Sequence, residues 1–254
     1  MIPKVIHYCW FGRNPLPASA RKCIDSWRYF LPDYEIKEWN EDIFDVNIIP
    51  YTRQAYQAKK YAFVSDYARF WILYHYGGLY FDTDVEIIKP FDDIIKQGPF
   101  MGIEQGASMN GNPMVAPGLG LGVEARDVFY KRMLDVYENL EFWISEGKIN
   151  PDAVVGLTTR ELYSCGMKPF EDMQKVCSIW IYPAEFFCPM NAATGIISLT
   201  DRTVSIHHYD ASWIDHKSFR FKLHLMKNWI FKKIGPKLAE KVVVIIELMN
   251  KCKN

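Results

Sequence analysis

The chain has 254 residues, 49% hydrophobic, 24% charged and 15% aromatic, and its 30 basic side chains balance 30 acidic ones. Such a chain can fill one large α/β domain or two small ones. The balanced charge excludes a global field steering it to nucleic acid, and apolar runs such as Val242–Ile246 are too short to span a bilayer.

Met1–Trp10 lacks a basic leader followed by a long apolar run, so no secretory signal is expected. The six cysteines are scattered, with no Cys-x-x-Cys pair. Free thiols in a reducing, cytoplasmic setting fit that spacing better than a disulfide frame or a zinc site.

Lys4–Trp10 reads as a buried first strand, ended by a loop at Gly12, Asn14 and Pro15. Pro17 suits the first turn of a helix with Cys23, Ile24, Trp27 and Phe30 on one face. Pro32-Asp33 breaks it, and Tyr34–Trp39 alternates as a second strand. Tyr56–Tyr76 is helical, in one piece or two, and Gly77-Gly78 stops it. Leu79–Phe81 is a short strand running into Asp82-Thr83-Asp84, and Val85–Ile88 continues as strand up to Pro90. This alternation predicts a parallel, Rossmann-like sheet, in which ligands sit beyond the carboxyl ends of the strands. Met101–Gly122, rich in Gly, Met, Asn and Pro, reads as a mobile loop or lid. Ala125–Leu140 is helical, 150–190 mixed, and Thr203–His208 a last core strand.

Asp82 and Asp84 are two residues apart at a strand end and can face one side, sharing a hard cation. Alone, such a triplet is better explained by a turn with solvated carboxylates; its place at the sheet's exit reverses that and favours Mn²⁺ or Mg²⁺ held against a diphosphate. The preceding helix is apolar nearly all round, so Asp66 and Arg69 need partners. Two readings stay open: they pair with each other at i, i+3, or both point into the cleft.

Residues 2–12 (IPKVIHYCWFG), Ser26-Trp27, Ser65-Asp66-Tyr67-Ala68-Arg69, then Tyr74, Gly77, Gly78, Tyr80, Asp82 and Asp84, and finally His207-His208-Tyr209-Asp210-Ala211-Ser212-Trp213, together carry a resemblance. The sequence resembles glycosyltransferase family 32, the DXD-containing sugar-binding-region group that includes bacterial capsular polysaccharide transferases and yeast mannosyltransferases. The resemblance is dense over residues 2–92 and loose between there and the terminal motif.

It implies a single α/β, GT-A-like domain over residues 1–213, with a Rossmann-like nucleotide-sugar half (1–100), an acceptor half (101–213) and a helical C-terminal extension (214–254). It implies a retaining enzyme acting on a nucleotide-sugar donor, with UDP the preferred carrier, and on a glycan or lipid-linked acceptor, in surface polysaccharide synthesis. Trp10 and the backbone around His7 would frame the base, and Ser65 would sit near it. Asp66 and Arg69 would hold sugar hydroxyls; Tyr80 and Asp82 would approach the ribose or the metal's water shell. Asp84 would bind the metal. A histidine of the terminal pair or Ser212 would complete the metal shell, and Trp213 would press on the diphosphate. Since His207 and His208 alternate, only one can face the cleft, and His208 is the expected one. Glu104 is a candidate for supporting the acceptor, while Asn112, Pro117, Gly118 and Gly120 occupy the region of the acceptor loop.

Residues 216–237 carry seven Lys or Arg and no acid after Asp215, with Phe, Leu and Trp interleaved. Two readings remain: a helix packed on the domain, or peripheral contact with an anionic membrane at its inner face. Two other functions compete with transfer. A metal-dependent nucleotide-sugar hydrolase would use the same carboxylates, whereas a non-catalytic glycan-binding module has little need of both.

Overall fold

The computed structural model describes residues 1–169, 172–192 and 194–210. Ser212, Trp213 and the basic segment 216–237 lie outside the described residues.

The first strand, β1 (Val5–Cys9), leads into α1 (Ala18–Phe30) and back to β2 (Glu35–Trp39). The helical stretch expected over Tyr56–Tyr76 is essentially α3 (Tyr61–Tyr76); a separate helix, α2 (Pro50–Gln57), precedes it and lies mostly before the expected start, the two parted where Lys59 takes φ 57°. Proline opens α2, where its missing N–H costs nothing. Gly77, at φ 66°, ends α3; a Cβ there would lie 2.7 Å from the Ala125 backbone nitrogen. Then come β3 (Gly78–Tyr80), β4 (Val85–Ile87) and α4 (Asp92–Gln97).

Met101–Gly122 departs from the expected loop. It holds most of β5 (Phe100–Met109), all of β6 (Asn112–Val115) and the start of β7 (Leu121–Val123). Phe100–Ile103 is buried, and Asn110-Gly111, both at positive φ, close a hairpin between β5 and β6. The remaining elements are α5 (Val128–Glu138), β8 (Trp143–Ser145), β9 (Lys148–Ile149), α6 (Val154–Ser164), β10 (Gln174–Val176), β11 (Ile179–Tyr182), α7 (Ala184–Phe187) and β12 (Ser205–His207).

Seven strands line up as β10-β11-β5-β7-β3-β1-β2, with β6 added on β5. β1 runs parallel to both β2 and β3, giving the expected Rossmann-like half. The sheet is nevertheless mixed, because β7 is antiparallel to β3 and β5. The last strand also departs from expectation: β12 joins β4 in a separate antiparallel ribbon, His207 opposite Val85. Side chains alternate across the sheet. Ile6, Tyr8, Leu79 and Phe81 join the core under α1, α4 and α7, while Cys9 and Tyr80 join the larger core under α2, α3, α5 and α6. No helix among the described residues is long and apolar enough to cross a membrane.

Candidate active site

The site forms where β3 ends. Tyr80 and Asp82, two residues apart, both turn toward α3, and the Tyr80 hydroxyl donates to Asp82 Oδ1 at 3.1 Å. Arg69 comes down from α3 with its side chain only 4% exposed. Its Nη1 donates to Asp82 Oδ2 and its Nη2 approaches Asp82 Oδ1, both at 3.3 Å, a forked grip that fixes the carboxylate plane. The same Nη2 donates to Asp66 Oδ1 at 2.9 Å, and Nε donates to the Ser65 carbonyl at 3.2 Å. The two readings of Asp66 and Arg69 therefore merge: they pair with each other, and Arg69 also links Asp66 to the acidic triplet.

Gly118 completes the cradle. Its carbonyl accepts from the Asp82 N–H at 3.2 Å, and a Cβ on it would stand 2.1 Å from Asp82 Oδ2 and 3.4 Å from Arg69 Nη1. Only a residue without a side chain lets this segment lie against the carboxylate.

Asp84 is held from the other side by the ribbon. His207 Nε2 is 3.1 Å from Asp84 Oδ1, the Asp210 N–H donates to Asp84 Oδ2 at 3.0 Å, and the His208 N–H donates to the Asp84 carbonyl at 2.9 Å. Ligand atoms of Asp82, Asp84 and His207 lie within 4.8 Å of one another. His207 Nδ1 is buried with no hydrogen-bond partner among the described residues. Two carboxylates and an imidazole at this spacing fit a divalent cation such as Mn²⁺ or Mg²⁺.

Burial and neighbouring charge pull the carboxyls apart. Burial raises Asp66 to about 7, with Asp82 adding to the rise and Arg69 opposing it. Asp82 is also raised, by burial first and then by Asp84, against Arg69. Asp84 behaves oppositely: burial pushes it up, but the charge and hydrogen bond of His207 and the Asp210 N–H together hold it below the usual range. In His207 burial favours the neutral ring, yet Asp84 outweighs it and the pKa rises. The two acids of the triplet are electrostatically distinct.

Other expected site residues fall differently. His208 does not face the carboxylate pair: its Nε2 meets Glu86 Oε2 at 2.7 Å, and Lys22 of α1 holds the other Glu86 oxygen at 3.0 Å. The alternation of a strand makes the two histidines exclusive, and the β12–β4 register selects His207. The His7 ring belongs to the core, its nitrogens engaged by Trp39 Nε1 and the Gly77 carbonyl, each at 3.0 Å. Only its backbone remains at the strand end, where its carbonyl accepts from the Phe81 N–H. Trp10 is half-buried, its indole N–H on the Asn14 carbonyl, and the Ser65 hydroxyl donates back to Tyr61. Glu104, on β5, reaches Tyr209 and lies close enough to His207 to raise its pKa. Gly118 and Asp210 were not expected at the carboxylates, since their roles come from contacts that no local pattern encodes.

Residues 17–101 match the family described as "Glycosyltransferase sugar-binding region containing DXD motif". Inositol phosphoceramide mannosyltransferase 1 of Schizosaccharomyces pombe is 31% identical over 111 residues, 39% of this chain and 33% of that protein. Mannosyl phosphorylinositol ceramide synthase CSH1 of Saccharomyces cerevisiae is 30% identical over 109 residues, 40% of this chain and 28% of that protein. The chain thus spans about a third of the length of the curated relatives it matches. Among solved structures, the PaToxG glycosyltransferase aligns at TM-score 0.46 and 19% identity, covering 64% of this chain and 69% of that one. Residues 17–101, the segment that matches the DXD-containing glycosyltransferase sugar-binding-region family, carry the acidic triplet and the arginine that grips it.

Proposed function

We propose that this protein is a retaining glycosyltransferase that moves a hexose or N-acetylhexosamine from a UDP-linked sugar to a glycan or lipid-linked acceptor. The observation carrying this reading is the convergence of Asp82, Asp84 and His207 within 4.8 Å beside the Arg69–Asp66 pair. A non-catalytic binding module would leave unexplained why a buried arginine aligns one carboxylate; a hydrolase would share that arrangement, and the transferase and synthase names of the yeast relatives weigh against it. The names of the yeast relatives support a hexose, mannose included, and a lipid-linked acceptor.

Asp82, Asp84 and His207 would hold Mn²⁺ or Mg²⁺, which when bound neutralises charge building on a departing diphosphate. Ser212 and Trp213, expected to serve the metal shell and the diphosphate, fall outside the described residues. Asp66, titrating near neutrality, suits hydrogen bonding to a sugar hydroxyl as donor or acceptor. Trp10 and the backbone at His7 would frame the base, and Glu104 would support the acceptor from β5. The bond from the anomeric carbon to the diphosphate loosens first; the acceptor hydroxyl then attacks from the same face and passes its proton to the leaving phosphate oxygen. In this scheme residues 1–100 serve the donor, 101–213 the acceptor, and the basic segment 216–237 brings the chain to an anionic membrane at its inner face.

Incubating a panel of nucleotide sugars with the protein, Mn²⁺ and candidate acceptors tests the reading. Asp84→Ala and His207→Ala should each lower transfer by about 100-fold or more, whereas His208→Ala should lower it less. Full transfer by Asp84→Ala at saturating Mn²⁺ would sink the assignment.

A further inference from the structure

A cavity of about 300 Å³ that shares no residue with the carboxylate site is lined by Asp127, Val128, Phe129, Arg132, Cys165, Cys177 and Ser178. Cys165 is the C-cap of α6, its N–H bonded to carbonyls of the preceding turn. Cys177, exposed and at φ 53°, sits in the two-residue turn between β10 and β11. Both thiols line this one cavity, Cys165 close enough to raise the Cys177 pKa. Independent tethers hold both platforms: Arg132 of α5 bonds Glu161 and, at 2.8 Å, Ser164 of α6. The Ser178 hydroxyl donates to Asp127 Oδ2 at 2.5 Å, while Asp127 Oδ1 caps α5. The elements that carry the two thiols to this cavity are therefore braced on both sides.

We propose that Cys165 and Cys177 form a thiol–disulfide exchange site that accepts an oxidised low-molecular-weight thiol, such as glutathione disulfide, and closes to an intramolecular disulfide. Cys177, the exposed member, loses its proton and attacks one sulfur of the reagent, releasing one thiolate that takes up that proton. Cys165 then attacks the Cys177 sulfur of the mixed disulfide and expels the second thiol. Two protein thiols are oxidised, and one disulfide is reduced to two thiols. Partial burial and the neighbouring thiol raise the Cys177 pKa, with Arg132 opposing, so exchange is faster at mildly alkaline pH. Cys9, Cys23 and Cys188 are buried, and burial pushes the first two up to about 12, which keeps them out of the reaction. The closed bond would tie α6 to the β10–β11 hairpin, whose β11 pairs with β5.

The full chain is incubated with glutathione disulfide at mildly alkaline pH, its remaining thiols are alkylated, and its peptides are mapped by mass spectrometry. The expected product has lost two hydrogens, keeps no glutathionyl group and links Cys165 to Cys177. Cys165→Ser, or Cys165→Ala if serine disturbs the helix end, should instead trap glutathionyl on Cys177. A stable adduct at Cys177 in the unaltered chain, a link to another cysteine such as Cys252, or no reaction would each overturn the proposal.

Discussion

Arg69 shows how much a single buried charge organises. Taken out of water, it would be costly unless every donor were engaged, and here it spans Asp66, Asp82 and the Ser65 carbonyl while lying 5.0 Å over the Tyr80 ring. The carboxylate it aligns is closed in by Gly118, so the backbone there has no room for even one methyl group. Gly118→Ala should move the Asp82 carboxylate and lower transfer by about 10- to 100-fold, with the fold retained by circular dichroism. His7 offers a test independent of activity. Burial lowers its pKa from 6.5 to about 4, so the unfolded chain binds a proton first as pH falls. The stability contributed by the neutral ring is complete above pH 6.5 and drains away toward pH 4. His7→Gln should therefore flatten the stability–pH profile in that window, read by chemical denaturation, and cost about 1–3 kcal/mol at neutrality through lost buried hydrogen bonds.

At the level of elements, the ribbon of β4 and β12 brings a histidine from the end of the described chain to the triplet. Its register is reinforced by Glu86, which takes His208 on one oxygen and Lys22 on the other. The Trp27 indole of α1 adds a 2.7 Å hydrogen bond to the Val85 carbonyl. Glu86→Ala releases both Lys22 and His208 and loosens the ribbon, so His207 should be less well placed. Mn²⁺ affinity, followed by calorimetry, should fall about tenfold, and unchanged affinity would show that the ribbon keeps its register without this clamp. The helical face of α3 was readable from its all-round apolar pattern, and Asp82 and Asp84 from their spacing after a short strand. The hairpin of β5 and β6 was not. Its Gly, Asn and Pro are the residues of a loop, and long-range pairing with β7 and β11 turns that stretch into sheet.

For the molecule as a whole, the site depends on a sheet clamped between two cores. The core under α1, α4 and α7 is aromatic: Phe91 stacks on Phe187 at 5.6 Å and meets Phe81 at 5.5 Å. Phe81 directly precedes Asp82, so packing there sets the height of the triplet above the sheet. Phe91→Ala, at a fully buried position, should cost about 3–5 kcal/mol in denaturant unfolding. It should weaken donor binding less than Gly118→Ala does, because the carboxylate's own contacts survive.

The sequence by itself determined the alternation of strand and helix through residue 88, the burial of α3 and the position of the acidic pair at a strand's exit. These follow from periodicity and spacing within a few residues. Tertiary structure decided which histidine meets Asp84, that the His7 ring belongs to the core, and that Gly118 rather than a loop side chain walls the site. Those outcomes rest on registers and close approaches between segments tens of residues apart. Strand pairing and packing select there among alternatives that are locally equivalent.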